Sequence, residues 1–204
     1  MVALDLLSRE GLPGMSLRKV AAALETGPAS LYAYVDNLRE LQALVLDRAL
    51  SDVSIPDVSV GHWQIRLVSL LKSYTGTLIN RPGLAQLAMN TIASGPNALR
   101  ILEALLALFA EAGVDGQIAA WAVDLVSLYA TAIAVEESHR QRYGDPLEPF
   151  IQLLGGVSAR DFPRIYAARE QLTAGQGQER FEWAIEVLLK GVLPMPSTAP
   201  AKSI

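Results

Sequence analysis

Between Ser16 and Glu40 the chain carries three helix-start signals, so every helix in that stretch must be short. Ser16 is a good N-cap residue, and Met15 before it is placed to staple against Val20. Gly27 followed by Pro28 suits an N-cap and a first helical position, where the N–H that proline lacks would have no partner anyway. Asn37 with Glu40 three residues on has the form of a capping box. Helices this short are marginal in isolation and need one another's apolar faces. Leu17, Val20, Ala21 and Leu24 supply one face, Leu31 and Val35 the next, and Leu38, Leu41, Val45 and Leu46 a third. An earlier helix presents Val2, Ala3, Leu6 and Leu7 and stops at Gly11. Residues 1–50 therefore read as a compact three-helix unit with a fourth helix leading out.

The rest of the chain keeps helical periodicity with longer helices. "SDVSIPDVSVG" (51–61) is the boundary, and helices are expected at about 62–80, 83–93, 97–112, 115–142, 163–173 and 178–192. "GDPLEPFIQLLGGVSARDFP" reads as a looser connection. The expected fold is all-α, with an N-terminal helical domain over 1–50, a larger helical domain over 51–193 and a disordered Pro/Ser/Ala-rich tail over 194–204.

With 51% apolar and 19% charged residues the chain can bury a substantial core. The most apolar stretch, "IAAWAVDLVSLYATAIAVEE", is interrupted by Asp124 and reads as a buried helix, so no membrane partner is expected. There is no signal-peptide pattern and no cysteine, which fits a cytoplasmic protein and excludes disulfides and thiolate metal sites. His62 and His139 lie on different helices, and no phosphate loop, dinucleotide fingerprint or nucleophile elbow occurs. No catalytic residue, metal or cofactor is expected. The net charge is −4, and residues 1–50 hold five basic side chains against six acidic ones, or −1. A nucleic-acid contact made there must be local and helix-borne.

Residues 16–35 have the layout of a helix-turn-helix, whose second helix enters the major groove. That helix needs one apolar side for docking, here Leu31 and Val35. Its other side needs small residues for close approach and hydroxyls for phosphates and base edges. Ala29 and Ala33 are small, while Ser30, Tyr32 and Tyr34 carry hydroxyls. The competing reading packs both tyrosines onto a hydrophobic core.

"ALDLLSREGLPGMSLRKVAAAL" with "SLYAYVDNLRELQALVLDRAL" resembles the N-terminal DNA-binding domain of the TetR family of bacterial transcriptional repressors. The resemblance covers about residues 1–50 and implies a helix-turn-helix domain joined through its fourth helix to a larger ligand-binding and dimerisation domain. It places Ser16 and Arg18 on the supporting helix, and Pro28, Ala29, Ser30, Tyr32, Ala33 and Tyr34 on the face presented to DNA. For Arg18, a solvated surface charge is the competing reading. The chain departs from the family pattern at Glu25, where a glycine usually closes the turn. Thr26 stands for an apolar residue, and Leu38 for a lysine that contacts phosphate. The pattern also leads one to expect further, often basic, residues before Val2, hence a late start or a truncated sequence.

In the larger half, the resemblance implies an inducer pocket among the helices over 62–142. The candidates are Leu70, Tyr74, Leu87, Leu102, Phe109, Trp121, Asp124, Leu125 and Leu128, and the ligand a small apolar or aromatic molecule. Ordinary core packing is the competing reading for each. Asp124 is informative if buried, because a buried carboxylate needs a partner or a polar ligand group. Phe181, Ile185, Leu188 and Val192 on the last helix are the expected homodimer interface. The expected function is a regulator, a repressor released from a palindromic operator in double-stranded DNA when ligand binding changes the spacing of two recognition helices. Two alternatives stay open: a helical small-molecule-binding protein whose DNA-reading helix has decayed, and a helical enzyme using Asp124 or the Glu136–Glu137 pair.

Overall fold

The computed structural model describes residues 2–144, 147–175 and 177–193. Among the described residues the chain forms eleven α-helices and one 3-10 turn at Val58–Val60, with no strand. The expected tail over 194–204 lies outside the described residues.

Helix α1 (Val2–Gly14) kinks at Gly11, whose φ of +70° breaks the helix where the sequence placed its stop. Helix α2 (Leu17–Ala23) is capped by Ser16, whose Oγ accepts the Lys19 N–H at 3.2 Å. It ends in a Schellman turn: the Glu25 N–H donates to the Ala22 carbonyl and the Thr26 N–H to the Ala21 carbonyl, each at 3.0 Å. That geometry forces Glu25 to a φ of +54°. It also turns Leu24 out to 47% exposure, so Leu24 does not join the apolar face expected of it.

Helix α3 (Pro28–Leu31) is a single turn with Gly27 and Pro28 at its start, shorter than the sequence suggested. The Val35 N–H nevertheless reaches the Leu31 carbonyl at 3.0 Å, so the coil carries on far enough to bury Val35. Helix α4 (Leu38–Leu50) starts on Asn37, whose Oδ1 accepts the Glu40 N–H at 3.0 Å. The Glu40 carboxylate reaches back to the Asp36 N–H at 2.6 Å, one residue earlier than the usual capping-box partner. Leu6, Leu7, Met15, Val20, Val35 and Leu41 meet beneath these helices.

The larger part comprises α5 (Trp63–Ile79), α6 (Leu84–Asn90), α7 (Pro96–Glu111), α8 (Gly116–Tyr143), α9 (Leu147–Gly155), α10 (Pro163–Thr173) and α11 (Gly177–Val192). Helix α8 is the one helix among the described residues long and apolar enough to cross a membrane. Here it is the central post, packed by α5, α6, α7 and α11. Helix α9 lies in the stretch read as a loose connection. Helix α6 stops at Asn90, so a connection runs over residues 91–95, the first three of which were expected to be helical.

Two side chains lock the two parts together. Asp47 on α4 is buried, and its carboxylate accepts the Ala98 N–H at 2.8 Å and the Asn97 side-chain amide at 3.0 Å. It thus caps the N-terminus of α7, whose own N-cap, Gly95, has no side chain to offer. A β-carbon on Gly95 would lie 2.4 Å from the Asp47 carboxyl carbon, so only glycine admits this approach. In return Arg100 on α7 donates to the Val53 and Leu50 carbonyls at 2.8 and 3.2 Å, closing the end of α4.

Candidate DNA-reading face and ligand pocket

The segment over residues 28–35 turns its aliphatic side inward and its hydroxyl side outward. Val35 is buried and Leu31 half-buried, whereas Tyr32 is 57% and Tyr34 80% exposed. Pro28, Ala29, Ser30 and Ala33 are exposed on the same short segment, and Arg18 is exposed on α2. Ser16 is half-buried with its hydroxyl already engaged as the α2 cap. Thr26, a departure from the family pattern, donates its hydroxyl proton to Ser30 Oγ at 2.9 Å and so fixes the turn against the recognition segment. Leu38 is half-buried against the core, which explains an apolar residue there.

A cavity of about 810 Å³ opens between α4, α5, α7, α8 and the 91–95 connection. Leu46 and Leu50 of α4 form part of its floor, with Leu70, Leu71 and Tyr74 from α5. Leu99, Leu102 and Leu105 line it from α7, and Asp124, Ser127, Leu128 and Thr131 from α8. Five of the nine residues expected here from sequence do line it: Leu70, Tyr74, Leu102, Asp124 and Leu128. Leu87 and Phe109 do not, because both are fully buried in the core. Trp121 and Leu125 sit on an exposed face of α8 outside the pocket. The sequence reading missed the wall formed by Thr91, Ile92 and Ser94, because it ran the helix through Thr91 and Ile92 to about residue 93 and took Ser94 as its stop. It also missed the α4 floor, since no local pattern announces a contact with helices so far along the chain.

Inside the pocket, Thr131 Oγ1 donates to the Ser127 carbonyl at 2.8 Å and lies 2.9 Å from the Tyr74 hydroxyl. Burial pushes the Tyr74 hydroxyl above its ordinary pKa, outweighing the opposing pull of Thr131, and keeps it protonated. Asp124 is exposed, so the desolvation argument raised for it from sequence does not apply. Among the described residues no group of three His, Asp or Glu side chains could hold a metal ion.

On α11, Phe181, Ile185 and Val192 are buried within this chain, Phe181 stacking on Tyr129 of α8 with ring centroids 5.8 Å apart. Leu188 is half-buried. The apolar side chains that α11 leaves free are Trp183 and Val187. The face expected from sequence to pair with a second copy is thus largely covered by the chain itself.

Residues 55–195 match the family described as the tetracyclin repressor-like C-terminal domain. The chain belongs to the TetR family of transcriptional regulators. The HTH-type transcriptional repressor DrrR1 of Streptomyces coeruleorubidus is 28% identical over 199 residues, covering 93% of this chain and 74% of that protein. Apo ActR from Streptomyces coelicolor superposes with a TM-score of 0.83 at 32% identity, over 94% of this chain and 91% of that one. ActR in complex with actinorhodin gives the same score and identity, with 92% of that chain covered. As a TetR family member the protein is a DNA-binding, ligand-responsive regulator.

Proposed function

We propose that the protein is a repressor that holds a palindromic operator as a two-fold homodimer and releases it when a small, largely apolar or aromatic molecule enters the 810 Å³ cavity. The observation that carries this reading is the pocket floor. Leu46 and Leu50 belong to α4, the helix leading directly out of the DNA-facing unit. A molecule seated there touches that helix without an intermediary. It can change the spacing of two recognition segments only through a difference in its affinity for the two arrangements. That ActR, 32% identical, forms a complex with actinorhodin supports a small-molecule ligand for this chain as well.

Trp183 and Val187, exposed on α11, are suited to bury against a second copy, with Trp121 and Leu125 of α8 adding apolar surface. Two-fold pairing would set the two tyrosine-bearing segments about 34 Å apart, one turn of DNA. The exposed face offers hydroxyls, small side chains and Arg18, and it fits a docking mode in which geometry, more than charge, sets the register.

The test is a fluorescence anisotropy titration of a duplex covering the promoter of the protein's own gene. Saturable binding at low salt that weakens steeply as salt rises is expected. A titration with no saturation at low salt would overturn the reading.

A further inference from the structure

The polar side chains of the cavity fall in two places, Thr91 and Ser94 on the 91–95 connection and a cluster on α8 and α5. Asp124, Ser127 and Thr131 follow one another along a single stripe of α8, with Tyr74 of α5 beside them, while α7 opposite contributes aliphatic side chains. A ligand in this space meets the α8 and α5 cluster along one edge and the aliphatic side chains of α7 along another.

The direction of the hydrogen bonds fixes what that edge must be. A threonine hydroxyl has a single proton. Thr131 places it on the Ser127 carbonyl at 2.8 Å, so the 2.9 Å contact with Tyr74 has the tyrosine donating. Both protons are then committed within the protein, and Tyr74 and Thr131 offer a ligand only lone pairs. Asp124, further along the stripe, is an acceptor alone when ionised. Among the described residues it is the only charged side chain lining the cavity, and it is the only one on α8 from Gly116 to Val135. No described residue forms a hydrogen bond or ion pair with it. A carboxylate in the middle of the most apolar helix, with no partner among the described residues, adds nothing to the packing of that helix.

We infer that this wall recognises a ligand whose polar edge donates hydrogen bonds and carries a positive charge opposite Asp124: an aromatic or alicyclic amine with an apolar body. The inference rests on the pocket reading above and adds the sign and direction of its polarity. A protonated amine at Asp124 forms a charge-assisted bond, and ring N–H or phenolic O–H groups nearby meet the lone pairs of Tyr74 and Thr131. An anionic ligand would face a like charge at Asp124 and, at Tyr74 and Thr131, hydroxyls with no proton left to donate to it.

Three tricyclic probes of matched size test this with the full chain and no DNA, by equilibrium dialysis: aminoacridinium as the cation, acridone as the neutral ring and anthracenecarboxylate as the anion. The cation is expected to bind about tenfold more tightly than acridone, the value of one charge-assisted bond, and the anion more weakly than either. Asp124→Asn, checked for folding by circular dichroism, should bring the cation down to the affinity of acridone. Equal binding of cation and neutral ring in the wild type overturns the inference alone, as does a preference that survives Asp124→Asn. Failure of all three probes to bind removes the pocket reading, and the inference with it.

Discussion

Glu25 shows how a single residue can hold an unfavourable conformation for the sake of a turn. The Schellman bonds from Glu25 and Thr26 close α2 and aim the chain into Gly27 and Pro28, but they require a φ of +54°. A residue with a β-carbon costs about 1 kcal/mol more there than glycine. Glu25→Gly should therefore raise the melting temperature by about 2–4 °C in scanning calorimetry; a lower value would mean that the glutamate contributes something the geometry does not reveal. At this scale the sequence was informative where spacing decides. Leu31 and Val35 at i, i+4 point one way, which leaves Tyr32 and Tyr34 to point the other, whatever else the chain does. It was uninformative where a neighbour decides. Leu24 has the right spacing for the core yet lies at the C-cap, and Asp124 was informative only through the cavity it borders.

Between elements, the reciprocal closure of α4 and α7 links the N-terminal unit to the pocket. The buried Asp47 carboxylate satisfies two donors at the start of α7, and Arg100 satisfies two carbonyls at the end of α4. Removing the carboxylate leaves buried N–H groups without acceptors. Asp47→Ala should thus destabilise the protein by about 2 kcal/mol, read as a lower midpoint in urea with an unchanged slope. An unchanged midpoint would show that water replaces the cap at no cost. None of this was legible beforehand. Asp47 falls among apolar residues of α4 with no local partner, and its acceptors' donors lie some fifty positions further on. Helix boundaries, by contrast, followed from capping residues: Ser16, Gly27–Pro28 and Asn37 all begin helices as their chemistry dictates. Helix α9 escaped because Pro and Gly flank it closely enough to mask a nine-residue helix.

For the whole molecule, the all-α architecture was legible because it is a sum of local signals, helical periodicity broken by turn residues. Surfaces were less so. The sequence shows that α11 is apolar around much of its circumference, but not which side its own chain covers; α8 takes Phe181 and Ile185, leaving Trp183 and Val187. The same limit explains why Trp121 and Leu125 were assigned to a pocket they do not line. What two such chains would do together depends on the tyrosine-bearing segments. The most direct measurement is the binding of Tyr32→Ala/Tyr34→Ala, beside the wild type, to a fluorescent operator duplex, with stoichiometry from analytical ultracentrifugation. The account predicts two wild-type chains per duplex and a loss of at least about tenfold in affinity for the double variant, at about 1 kcal/mol for each tyrosine hydrogen bond plus the packing lost with each ring. A folded double variant that binds the duplex as tightly as the wild type would contradict it.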